Sequence, residues 1–181
     1  VYIGLVHRLD RPASGIMVLA RTSKAASRLS AQFRAGKVKK KYFALVEGAC
    51  PGQGTAVNYL IKKDRQVSVV EDSRPGAQYA ELFWEALAQK NNLTLLAIDM
   101  KTGRPHQIRV QLSHLGFPIL GDLRYGAKKK FDGLNLALHC YLLGLEHPVK
   151  KEPMQWTALP PSAWSGMFDN ETAAAAAILS C

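Results

Sequence analysis

The chain opens with two short apolar runs, Val1 to Val6 and Ile16 to Ala20. They are separated by His7-Arg8-Leu9-Asp10 and by the turn formers Pro12, Ser14 and Gly15. Both runs read as strands, with a turn between them. Thr22-Ser23 offers an N-cap for a helix from Lys24 to Ala35, and Gly36 closes it. Ala25, Ala26, Leu29 and Phe33 recur at helical spacing as one buried stripe, with Lys24, Arg28 and Arg34 opposite. Then the period changes. Tyr42 to Val46, Ala56 to Lys62, Gln66 to Val70, Ala77 to Leu87 and Leu93 to Met100 read as strands. Their connections are short and polar, apart from a loop over Gly48 to Gly54, which predicts a largely antiparallel sheet. Lys101 to Pro105 is a turn into a second helix with proline in its first turn. Ile108, Leu112 and Leu115 form that helix's apolar stripe, and Gly116 ends it. Gly121 to Lys130 reads as a basic loop and Ala137 to Leu145 as a buried strand. Beyond Pro153 the pattern weakens, and Ala173 to Ala177 reads as a frayed helix or as disorder. The expected fold class is α+β: a mixed, mainly antiparallel sheet flanked by a few helices.

Composition narrows the partners. With 181 residues, 48% of them hydrophobic, the chain is long enough for one domain with a substantial core. Lys and Arg number 24 against 14 Asp and Glu, a formal charge of +10. That excess points to a polyanion, nucleic acid ahead of a membrane surface. Lysines fill four of the five positions from Lys37 to Lys41, and Lys128, Lys129 and Lys130 form a second cluster. Both would neutralise phosphates and make binding salt-dependent. Cys50, Cys140 and Cys181 are widely separated with no CxxC pair, so free thiols in a reducing compartment are expected and a structural zinc site is not. No apolar stretch approaches the roughly 20 residues that span a bilayer. The first residue is Val1, and the expectation is that an upstream part is lacking.

Three separated segments carry candidate chemistry. Asp10 lies at a strand end beside a Gly-containing loop, where a carboxylate can be held rigidly and still reach a ligand. On the second helix His106, Arg109 and Ser113 share a face flanking the apolar stripe, and an arginine there can reach a carboxylate on a neighbouring strand. Tyr42 opens a strand directly after the lysine cluster. Taken singly, each is an ordinary turn acid, surface arginine or strand aromatic.

Together, and in this order, the segments resemble the RluA-type pseudouridine synthases. The residues concerned are His7 to Asp10, Ser14-Gly15, Lys40 to Gly48, Thr102 to Arg109 and Gly121-Asp122-Leu123-Arg124-Tyr125. Leu138-His139 and His147-Pro148 match the family's final core strand. The resemblance implies that family's catalytic-domain fold, with residues 1–165 as an N-terminally truncated catalytic domain and 166–181 as a tail. It implies Asp10 as the catalytic aspartate, Arg109 as its salt-bridge partner and Tyr42 as the aromatic that stacks on the target uracil. Leu138 would help wall the base pocket. Arg8 and His106 would lie near the RNA, and Arg104 would contact a phosphate. Where the family commonly has Thr before Ser-Gly, this chain has Ala13.

The implied reaction breaks the uracil N1–C1′ bond, rotates the base and rejoins it through C5. Asp10 would attack the sugar carbon or remove a sugar proton, and the residues do not choose between these routes. A nearby guanidinium would keep that carboxylate ionised and oriented. The base must leave its stack to be reached, and stacking on Tyr42 would return about 1–3 kcal/mol. No cofactor and no metal is needed. The expected partner is structured RNA, ribosomal or transfer, acted on by a monomer in the cytoplasm, an organelle being the other option. Other chemistries fit poorly. No second acid faces Asp10 in any matched motif, as a glycosidase would require. His106 and His114 are not at the i, i+4 spacing of a helical zinc pair, and neither a P-loop nor a Rossmann fingerprint occurs. The rival reading is a catalytically silent RNA-binding module on the same fold.

Overall fold

The computed structural model describes residues 1–64, 66–133 and 135–178. In chain order these form β1 (Gly4–Leu5), β2 (Ser14–Gly15), β3 (Leu19–Ala20), α1 (Ser23–Arg34), β4 (Lys39–Glu47), β5 (Gln53–Lys63) and β6 (Gln66–Val70). Next come β7 (Gln78–Lys90), β8 (Leu93–Met100), α2 (Gln107–His114), β9 (Leu138–Glu146), β10 (Pro153–Thr157) and α3 (Asp169–Ile178). Short 3-10 turns lie at Leu123–Tyr125 and Ser162–Trp164. The main sheet runs β10-β9-β4-β8-β7-β5-β6, each neighbouring pair antiparallel, and β2 adds to β9 in parallel. The α+β expectation holds, with a mixed and mainly antiparallel sheet.

Burial explains the central strands. Tyr42 to Val46 in β4 and Leu138 to Leu145 in β9 are buried throughout. A strand covered on both faces must be apolar at every step, so neither alternates. β7 alternates over its first half, with Ala80, Leu82 and Trp84 inward. The helices close different parts of the sheet. Leu29 of α1 packs with Ala20, Val38, Leu143 and Leu145. Ile108 and Leu112 of α2 enter the main core, and Val110 packs with Leu60, Val67, Ala80 and Tyr125.

Several expectations need correction. Of the first two apolar runs only Gly4–Leu5 and Leu19–Ala20 are strands, paired with each other as a two-stranded sheet. Val1, Tyr2, Ile3 and Leu5 stay exposed, and of the first five residues only Gly4 is buried. Pro105 precedes α2 rather than lying in its first turn. His106 is the N-cap and has a left-handed φ of 53°, which starts the helix one residue later. Leu115 is the C-cap and is exposed, so it does not belong to the buried stripe. In its place Gln107 and Gln111 are buried, because α2 is covered on most sides. The sheet takes up their amide protons: Gln107 Nε2 donates to Glu81 O at 3.0 Å, and Gln111 Nε2 to Asn58 Oδ1 at 2.8 Å, while Gln111 Oε1 is buried without a partner among the described residues. Beyond Pro153 the chain adds the edge strand β10 and the helix α3, whose Ala176 joins Trp164 and Phe168 in the main core. Cys50 and Cys140 are free and buried, and Cys181 lies outside the described residues. No helix among the described residues is long and apolar enough to cross a membrane.

The short parallel bridge between β2 and β9 fixes where the Asp10 turn meets the sheet. Gly15 has a φ of +127°, and a Cβ there would stand 2.4 Å from both the backbone N and O of Cys140. Only glycine lets the two backbones approach this closely. Gly15→Ala is therefore expected to destabilise the fold by more than about 1 kcal/mol, read as a lower urea midpoint at unchanged slope.

Candidate active site

Asp10 sits in a turn, with Ala13 N–H donating to its carbonyl at 2.9 Å. That turn is tied to β9 and to the segment before it. Leu136 N–H donates to Pro12 O at 3.1 Å and Ile16 N–H to Cys140 O at 3.0 Å. Ser14 Oγ lies 2.9 Å from His139 Nδ1, and His139 Nε2 lies 3.0 Å from Ala158 O. The only arrangement that satisfies all three groups has Nε2–H donating to the carbonyl and Nδ1 accepting from the serine. Burial lowers the His139 pKa, which suits a neutral ring. Upstream, His7 Nε2 accepts from Val18 N–H at 2.9 Å, and its ring stacks on Phe33 with centroids 4.4 Å apart. The residues flanking Asp10 are thus clamped on both sides.

His7 carries a pH dependence. Burial, and then the Lys40 charge, pull its pKa from 6.5 down to about 4. A depressed histidine contributes stability that is complete above the unfolded pKa and lost as pH falls through it. The protein should therefore weaken between pH 6.5 and about 4. Urea midpoints should fall less over that window in His7→Gln, which has no group titrating there. An equal fall in both proteins would count against this account.

Across from Asp10, Arg109 of α2 is buried, at 5% exposure. Its Nε and Nη2 donate to the two carboxylate oxygens of Asp122, both at 2.7 Å, and its Nη1 reaches Asp10 Oδ2 at 3.3 Å. Burial opposes the guanidinium charge, but the Asp122 hydrogen bonds and the two carboxylate charges outweigh it and raise the Arg109 pKa. The guanidinium also lies over the Tyr125 ring, 4.9 Å from its centroid. Tyr125 organises this whole face of α2. Its hydroxyl lies 2.8 Å from His106 Nδ1 and accepts from Val67 N–H at 3.2 Å, and its carbonyl accepts from Ser113 Oγ at 2.6 Å. The face shared by His106, Arg109 and Ser113 is therefore turned to one tyrosine.

The loop before α2 is pinned to β7. Gln107 Oε1 accepts from Thr102 Oγ1 at 2.8 Å and from Arg104 N–H at 3.0 Å, while Arg104 Nε donates to Tyr79 O at 2.9 Å. On β4, Lys40 and Tyr42 lie two residues apart and so face the same way. Beside them the register of β4 against β9 shifts between Lys41 and Tyr42, leaving Tyr141 as an extra residue on β9. Bulges of this kind re-aim side chains next to functional sites. Burial, and then Cys140 and Asp10, raise the Tyr42 pKa, so the side chain stays a neutral phenol. Burial likewise lowers the pKa of Lys40.

These elements form an open cleft of about 90 Å³, lined by Asp10, Tyr42 and Arg109 and by Arg8, Arg104, His106 and Leu138. Every site residue expected from the sequence is on its wall. Three others were not singled out. Lys40 also lines the cleft, and the signal for it was its strand spacing from Tyr42. Asp122 and Tyr125 belong to a quoted motif, but nothing in the sequence linked them to Arg109.

A profile of the family described as RNA pseudouridylate synthase matches residues 2–114. The chain belongs to that family. It is 40% identical over 164 residues to an uncharacterised RNA pseudouridine synthase of Chloroflexus aurantiacus, covering 88% of this chain and 50% of that protein. It is 37% identical over 164 residues to ribosomal large subunit pseudouridine synthase C of Vibrio vulnificus, covering 87% and 51%. It is 33% identical over 183 residues to tRNA pseudouridine synthase C of Haemophilus ducreyi, covering 91% and 75%. The chain spans about half the length of the first of these relatives. The solved structure of human RNA pseudouridylate synthase domain containing 1 superposes with a TM-score of 0.75 at 23% identity, over 89% of this chain and 70% of that one, which shows the shared fold.

Proposed function

We propose that this chain is the catalytic part of an RNA pseudouridine synthase that isomerises specific uridines in ribosomal or transfer RNA. The observation that carries the reading is one cleft holding Asp10, Tyr42 and Arg109, with the guanidinium 3.3 Å from the acid. The relatives' names, for large-subunit ribosomal RNA and for tRNA, supply the two substrate classes.

In this reading a uridine leaves its stack and enters the cleft, where Tyr42 lies against the base and Leu138 forms part of the wall. Asp10 acts at the sugar, either attacking C1′ as uracil departs or removing a sugar proton. The uracil rotates, C5 bonds to C1′, the C5 proton is lost, and N1 ends protonated. Atoms balance without an external reactant, so no cofactor and no metal is required, and a monomer suffices. Arg109 keeps Asp10 aimed at the sugar. Arg8, Arg104 and His106 line the rim where the adjoining phosphates would pass.

The direct experiment incubates the chain with uridine-containing ribosomal and transfer RNA and counts pseudouridine in the nucleoside digest. Pseudouridine is expected in one class. Tight RNA binding with none formed in either class would instead favour the silent binding module.

A further inference from the structure

The Asp10 cleft opens on either side into a larger basic cleft, and the two differ in kind. One, of about 610 Å³, lies between the C-terminal end of α1 and the turn after β8. Its wall includes Arg34, Lys101 and Arg104 together with the rings of Phe33, His7 and Tyr42, and no acid among the described residues. The other, of about 620 Å³, lies between the Asp10 turn and Gly121 to Arg124. Its wall includes Arg11, Arg124 and Lys130, its one ring among the described residues is His106, which also lines the Asp10 cleft and stands edge-on to Tyr125, and its two acids, Asp10 and Asp122, both pair with Arg109. Arg8 alone lines all three spaces.

A single-stranded nucleotide is held by two kinds of contact, cations on its phosphate and flat rings on its base. The α1 cleft offers both through rings of its own, Phe33 and His7, whereas the one ring of the Gly121 cleft, His106, is shared with the Asp10 cleft and tied to the Tyr125 hydroxyl at 2.8 Å. We propose that the nucleotide on one side of the target uridine has its base stacked in the α1 cleft, whereas the other side is held in the Gly121 cleft chiefly through its phosphates. Context around the modified site is then read on one flank only. The exposed ion pair from Lys101 to Asp99, at 3.9 Å, is no obstacle, since such pairs are worth little and a phosphate displaces them readily. This proposal rests on the reading of the chain as acting on uridine in RNA.

The test measures binding of short single-stranded RNAs with one central uridine, using fluorescence anisotropy. An abasic residue is placed immediately before or immediately after the uridine. Wild type should lose about tenfold in affinity for one abasic RNA, within the range of a lost base stack, and stay near unity for the other. Phe33→Ala should remove the difference. Phe33→Leu, which keeps an apolar side chain packed on the cluster of Val38, Leu143 and Leu145, should remove it too. Arg34→Ala/Lys101→Ala and Arg11→Ala/Lys130→Ala should each lower the slope of log affinity against log salt by about 1.4, the value for two lost phosphate contacts on a single strand.

Equal losses for the two abasic RNAs, or a difference that survives in Phe33→Leu, would overturn the proposal. So would a salt slope unchanged in either double variant. The outcomes separate from those of the isomerase reading. Asymmetric binding without pseudouridine formation sinks the enzyme alone, and pseudouridine formation with symmetric binding sinks this proposal alone.

Discussion

Asp10→Asn is expected to stop pseudouridine formation, with a loss of at least the order of 10²–10⁴-fold that a positioned acid–base group contributes. RNA affinity and stability should stay close to wild type. The geometry supports that separation. Asp10 takes one bond from Arg109 at 3.3 Å, while Asp122 takes two at 2.7 Å. Removing the Asp10 charge therefore does not orphan the buried guanidinium. Asn has the same shape, and the turn is held by backbone bonds from Ala13 and Leu136 that do not involve the side chain. Single-turnover assays with quantified pseudouridine, alongside urea unfolding and anisotropy, make the comparison. A variant that unfolds, or one that retains wild-type turnover, contradicts this assignment of Asp10.

How far the sequence revealed the molecule depended on the range of the interaction. Strands β6 and β8 begin and end where their β-rich runs do, Gln66–Val70 and Leu93–Met100, because the pattern and the turn residues are local. The Thr22 cap is equally local, its side chain accepting from Ala25 N–H at 3.1 Å. β10 was illegible. It is an edge strand that starts at Pro153 and keeps most of its side chains in solvent, so it shows no apolar alternation. The polar residues of α2 misled in the opposite sense. Gln107 and Gln111 look like a solvent face, yet they are buried because strand carbonyls and Asn58 stand ready to accept their amide protons. In the site, Asp10, Tyr42 and Arg109 were legible through motifs, and each motif is contiguous. The pairing that holds Arg109 was not. It depends on a turn at Gly121, where φ is +88° and a Cβ would stand 2.7 Å from Asn135 O and from Phe131 Cβ. That packing is set by distant residues.

Asp122 is where the second large effect is expected. Asp122→Ala should cost about 3 kcal/mol of stability, the low end of the range for breaking a buried ion pair, because Asp10 still offers Arg109 one bond at 3.3 Å. Asp122 is 2% exposed and Arg109 5%, so water can replace little of what is lost. Asp122→Asn should be intermediate, since its amide oxygen can still accept from one guanidinium nitrogen while its NH₂ faces the other. Folded Asp122→Asn should also turn over more slowly, chiefly in kcat, because Arg109 loses the bidentate anchor that fixes the nitrogen presented to Asp10. KM should change little. Asp122→Glu should restore charge without restoring the fit, recovering more stability than activity. The two carboxylates on one guanidinium are thus expected to divide by consequence. Loss of Asp10 ends the chemistry and spares the fold, and loss of Asp122 weakens the fold first. If Asp122→Ala were as stable as wild type, the buried pair would not be what holds Arg109 in place, and the explanation for the spared fold of Asp10→Asn would go with it.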